Sequence, residues 1–113
     1  MSRAIILDAF YGQLSDFLTE LGRVFPDAKE VGAAQTKTQL LRRTNPALAL
    51  TQMVTTLGPY EHQIRTRNAS DFLCLPVIGD ILQSYWAQMT PENKSVVWAY
   101  IILLLDLAKR YTG

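Results

Sequence analysis

One cysteine and one histidine leave this sequence short of the residues from which most catalytic and metal sites are made. A lone Cys74 excludes an intrachain disulfide and a multi-cysteine zinc site, and it points to a reducing compartment as the expected environment. Net charge is as scarce. Eleven basic and ten acidic side chains leave a formal +1, so no global field exists to hold a polyanion or an anionic membrane. The six glycines are dispersed, which excludes a phosphate-cradling loop or a dinucleotide fingerprint. The longest apolar run, from Val96 to Leu105, is half of the roughly 20 residues needed to span a bilayer. It reads as part of a buried helix, and no membrane insertion is expected. The N-terminal Ile5-Ile6-Leu7 is interrupted by Asp8 and lacks a cleavage pattern, so it reads as helix rather than signal peptide.

What is present is a globular composition, 49% hydrophobic and 19% charged, over 113 residues. That length closes one hydrophobic core, and a single helical domain over residues 1–113 is expected. Leu7, Phe10, Leu14, Phe17, Leu21 and Val24 recur at alternating spacings of three and four, which marks one side of a helix ended by Pro26. Asp27, with Glu30 three residues later, predicts a capped second helix running to about Arg43, where Gly32-Ala33-Ala34 would allow close approach of a neighbour. Asn45-Pro46 predicts a third start, with Leu48, Leu50, Met53, Val54 and Leu57 inward and Gly58-Pro59 as its break.

Tyr60 to Arg65 can make a further short turn, and Thr66 to Asp71 reads as a polar connection. Beyond it, Phe72 to Ile78 is apolar but holds Pro76, so a buried irregular segment or a turn of helix is expected there rather than a strand. A fourth helix is expected from Asp80, with Ile81, Leu82, Tyr85, Trp86 and Met89 at helical spacing. Thr90-Pro91 starts a fifth, running to about Tyr111 and apolar almost all round in its middle. The fold class is therefore all-α, a compact bundle of about five helices around a hydrophobic C-terminal helix.

No chemistry-bearing pattern emerges from the titratable residues. His62 stands between Glu61 and Gln63 without a nucleophile, Cys74 lies among apolar neighbours, and the carboxylates lack the Glu-x-x-His pairs of a metal bundle. No catalytic residue, cofactor or metal is expected, and the chain reads as a non-enzyme. Charge is uneven along it: residues 1–34 sum to −2, residues 35–67 to +4 and residues 68–113 to −1. Lys37, Arg42, Arg43, Arg65 and Arg67 are the candidate nucleic-acid contacts, set against the simpler reading of solvated cations at helix ends. Leu14, Phe17, Leu21, Trp98, Ile102 and Leu105 are the candidate interface, because the stripe of the first helix and the apolarity of the last each offer a dimer face.

Read in order, Gln13-Leu14-x-x-Phe17-Leu18-x-Glu20, Val24-Phe25-Pro26-Asp27 and Leu41-Arg42-Arg43-Thr44-Asn45-Pro46 form a series. It continues through Pro59-Tyr60-x-x-x-Ile64, Asp71-Phe72-Leu73, Trp86 and Asn93-Lys94-x-x-x-Trp98-x-Tyr100. The series resembles a group of small helical proteins of giant viruses, the nucleocytoplasmic large DNA viruses, over nearly the whole chain. It departs from that pattern at Leu75-Pro76-Val77-Ile78, where the family's stretch is more polar. The resemblance implies a viral accessory or virion-associated protein of the host cytoplasm, viral factory or virion, and supplies no catalytic residues. The expected partners are a second copy of the chain and other viral proteins, with a nucleic-acid-associated packaging or condensation role as the alternative.

Overall fold

A computed structural model describes residues 2–67 and 84–113. Every regular element among them is helical and none is a strand. Four long helices carry the fold: α1 (Arg3–Val24), α2 (Lys29–Thr44), α3 (Pro46–Leu57) and, after a single-turn α4 (Glu61–Arg65), α5 (Pro91–Thr112).

Helix α1 starts where Ser2 Oγ accepts from the Ile5 N–H, and stops where Pro26 follows the Phe25 N–H bond to the Leu21 carbonyl. Its buried side is wider than the predicted stripe. Phe10, Leu14, Phe17 and Leu21 are buried as the spacing requires, but the ends of the expected stripe are not, Leu7 being half-buried and Val24 exposed at the last turn. Ile6, Tyr11 and Leu18 are buried because two neighbouring helices, not one, cover this side. The helix runs antiparallel to α5: Arg3 Nε donates to the Tyr111 carbonyl at 3.3 Å near one end, and Phe17 stacks on Tyr100 at 5.1 Å further along. It also runs antiparallel to α2, since Arg42 reaches Asp8.

The cap expected from Asp27 does not form. Ala28 is the N-cap residue and offers no side-chain acceptor, and backbone bonds from Ala28 N–H to Phe25 and from Val31 N–H to Ala28 secure the turn instead. The Glu30 carboxylate faces away from the cap and accepts from Tyr85 Oη–H at 3.2 Å. Nor does Gly32 provide the close approach; it is exposed, while Val31, Ala34 and Thr38 form the buried side.

Asn45 ends α2 and begins α3, although its side chain makes no capping bond. Its N–H reaches the Leu41 carbonyl and its carbonyl takes the Leu48 N–H, with Pro46 in the first helical position. Tyr11 Oη–H locks this corner by donating to the Pro46 carbonyl at 2.7 Å. Leu50 and Leu57 of α3 are buried, Met53 and Val54 are half-buried, and Leu48 is exposed.

Gly58-Pro59 ends α3 at Leu57 as expected, and the further short turn expected over Tyr60 to Arg65 follows. Gly58–Tyr60 form a 3-10 turn that leads directly into α4, because a proline that cannot donate is tolerated in the first turn. Arg67, in the left-handed region at φ 58°, then terminates the run.

The predicted fourth helix falls partly outside the described residues, as do Phe72 to Ile78 and Cys74. Its described end departs from helical spacing: Trp86–Gln88 form a 3-10 turn leading to buried Met89. The Thr90-Pro91 start of α5 holds as read, with Thr90 Oγ1 accepting from the Asn93 N–H at 3.1 Å.

In cross-section the long helices form a ring in which α1 packs on α2 and α5, and α3 packs on α2 and α5. A short dimension of 20 Å matches two helix layers, each about 10 Å deep. Leu18, Leu50, Ile64, Ile101 and Leu104 are completely enclosed where the elements meet.

Gly12 lies on the exposed side of α1, and a Cβ there would meet nothing within 4 Å. Gly12→Ala should therefore stabilise the fold by about 0.5–1 kcal/mol through the backbone entropy of the unfolded chain. A denaturant midpoint at or below that of the parent chain would refute this.

Candidate interaction surface

The fold divides the candidate interface in two. Leu14, Phe17, Leu21, Trp98 and Leu105 are buried within the protein itself, and Ile102 is half-buried. Their stripes meet one another: α1 and α5 turn their apolar faces to the same interior, with Phe17 on Tyr100 and Trp98 edge-on to Trp86 at 5.7 Å. A contact with another molecule has to use what these helices turn outward.

On α5 that outward side is partly apolar. Val96 is 47% exposed and Leu103 40%, and exposed Ala99 stands between them. The seven-residue interval puts Val96 and Leu103 two turns apart on one line of the helix. At its N-terminal end the line borders a small cleft of about 70 Å³ between α1 and α5, with Phe17, Phe25 and Met89 in its lining and Val24 and Val96 among its exposed wall residues. The other exposed large apolar residues, Ile5, Leu40, Leu48 and Tyr60, lie on other elements or at the far end of α1. The outward line was present in the sequence as the spacing Val96, Ala99, Leu103, but all-round apolarity hid which side would remain open.

The five candidate nucleic-acid contacts do not share one environment. Arg65 is held in a neutral cluster: its Nε meets Glu61 Oε2 at 3.0 Å, its Nη2 meets Asp106 Oδ1 at 2.6 Å, and Lys109 Nζ meets Glu61 Oε1 at 2.6 Å. Two cations and two carboxylates thus clamp α4 onto α5. Arg42 pairs with Asp8 at 3.3 Å and lies 5.6 Å from the centre of the Tyr11 ring, while Arg67 donates to Ser95 Oγ at 3.1 Å. Lys37 and Arg43 are exposed on α2, without an ion pair among the described residues.

A second concavity, a groove of about 340 Å³ between α1 and α2, is polar. Ser15, Thr19, Gln35, Thr38, Gln39 and Arg42 line it, above Tyr11 and Leu18. Thr38 Oγ1 already donates to the Ala34 carbonyl at 2.8 Å, and burial is the main cause of the raised pKa of the Tyr11 phenol. The lining offers neutral donors and acceptors and one guanidinium, without the positioned base that nucleophilic chemistry requires. His62 is exposed on α4. Among the described residues no group of three potential ligands is placed to hold a metal ion, and no helix is long and apolar enough to cross a membrane.

Comparison with known proteins adds no relative: the chain matches no family model, no curated protein and no solved structure.

The charge cluster has a measurable signature. Hydrogen bonds from Lys109 and then Arg65 hold the Glu61 carboxyl below its ordinary range. A lowered folded-state value means that the stabilisation is complete above the unfolded glutamate's titration and disappears as pH falls through the folded one. Glu61→Gln should therefore remove part of the acid-side loss of stability between neutral and strongly acid pH. Unfolding midpoints that fall with acid as steeply in the variant as in the parent would contradict this role.

Proposed function

We propose that this chain is a non-enzymatic protein-interaction module, a viral accessory or virion-associated protein that works through its helix faces as a homo-oligomer. The observation that carries the reading is the outward apolar line of Val96, Ala99 and Leu103 on α5, a helix whose opposite side contributes Val97, Ile101, Leu104 and Ala108 to the core. In this reading the full architecture is a bundle of about five helices organised around that C-terminal helix. The viral setting, in the host cytoplasm, viral factory or virion, rests on the resemblance in sequence order described above.

A nucleic-acid-associated packaging or condensation protein is the reading that the charges support less. Arg65 is neutralised by Glu61 and Asp106, and Arg42 already shares Asp8. Lys37, Arg43 and Arg67 keep uncompensated charge among the described residues, Arg67 bonding only the neutral Ser95 hydroxyl, and three cations give only a weak, salt-sensitive hold on phosphates.

The test is co-precipitation from infected cells with the parent chain and with a Val96→Glu/Leu103→Glu variant, whose substitutions lie at exposed positions. Viral proteins recovered with the parent should be lost with the variant while its circular dichroism and thermal midpoint stay unchanged. Recovery of the same viral proteins by both chains would sink the assignment of this face.

A further inference from the structure

The outward line of α5 extends beyond its apolar centre. Glu92, Val96, Ala99, Leu103, Asp106 and Arg110 follow one another at spacings of four, three, four, three and four, the a/d rhythm of a helix that pairs with another helix. Glu92 and Arg110 close the line at its two ends. They are 18 residues apart, which is five turns, so they lie on the same side of the helix about 27 Å from one another. Both are exposed, and neither enters an ion pair among the described residues.

We propose that this line is a self-complementary seam on which α5 pairs antiparallel with α5 of a second copy of the chain. The proposal rests on the interaction-module reading and names its partner. The order of residues selects the arrangement. In an antiparallel pair with its two-fold axis beside Ile101, Glu92 faces Arg110 of the partner subunit, and Ala99 faces Leu103 of the partner subunit, each twice over. A parallel pair would instead set Glu92 against Glu92 and Arg110 against Arg110 at both ends. Asp106 would face Val96 of the partner subunit, and its carboxylate is already compensated by Arg65 at 2.6 Å.

Helix macrodipoles favour an acid near the start and a base near the end of any helix, and Glu92 and Arg110 satisfy that preference in the monomer. The dipole does not dictate that both fall on the line of Val96, Ala99 and Leu103. Their common side, together with a small alanine beside the two-fold axis, makes the surface complementary to itself. Ala99 permits close approach of the two backbones, and Val96 and Leu103 supply the apolar contact. Exposed ion pairs contribute little affinity each, so the four terminal charges set direction and register.

Sedimentation equilibrium on the full chain, over a concentration series, tests the seam with Glu92→Arg, Arg110→Glu and their equimolar mixture. The parent chain should dimerise, and each single variant should associate at least about tenfold more weakly, because like charges then meet at both ends. Mixing the two variants should restore the dimer, since one copy then carries two arginines and the other two glutamates. Circular dichroism of each variant checks that these exposed substitutions leave the helices intact, and Ala99→Glu, which blocks the centre without altering the end pairs, should also give a monomer.

A parent chain that stays monomeric at high micromolar concentration overturns the seam, as does a set of variants that all dimerise like the parent. If the monomeric parent still co-precipitates viral proteins that Val96→Glu/Leu103→Glu loses, the face belongs to a different partner. The interaction-module reading then survives the failure of the seam.

Discussion

The antiparallel seam between α1 and α5 is the contact on which the other elements depend. Each is a 22-residue helix, and each turns several large side chains toward the other and toward the space that α2 and α3 fill. Phe17 lying on Tyr100 fixes the register of the pair in the middle, and Arg3 over the Tyr111 ring fixes it near one end. Helix α2 then finds its place through Tyr11 and Leu18 on the flank of α1, and α3 finds its place against α5. Burial of the two apolar stripes supplies a non-directional attraction, while the aromatic contacts and end bonds select one alignment among several.

Local rules acted clearly in the sequence wherever one residue did one job. Thr90 before Pro91, Pro26 after Phe25 and the stripe through Phe10, Leu14, Phe17 and Leu21 all express such rules, and the described helices follow them. Errors arose where a residue had a choice of partners. Glu30 bonds the Tyr85 hydroxyl instead of a cap, and Asn45 satisfies its backbone without its side chain. These outcomes depend on elements distant in sequence, which periodicity does not report.

The candidate surface was less legible for a related reason. Apolar residues that make an attractive interface on a lone amphipathic helix are the same ones that build the core once a second such helix is available. Leu14, Phe17, Leu21, Trp98 and Leu105 illustrate this: the stronger the stripe, the more completely it was enclosed. The weaker line of α5, diluted by Ala99 and bounded by charges, stayed outside. Basic residues show the counterpart, since two of the five clustered along the sequence, Arg42 and Arg65, were taken up by acids of α1, α4 and α5.

Asn45 serves as the end of one helix and the beginning of the next, and this single-residue joint leaves no slack between α2 and α3. The two helices are consequently locked in rotational phase. One additional residue at the joint would turn α3 about 100° around its own axis relative to α2 and advance it about 1.5 Å. Leu50 and Leu57 would swing out of the interior together, and the Pro46 carbonyl would leave the reach of Tyr11. Substitution at this corner is thus a matter of chemistry, whereas insertion is a matter of geometry that no choice of inserted residue can repair.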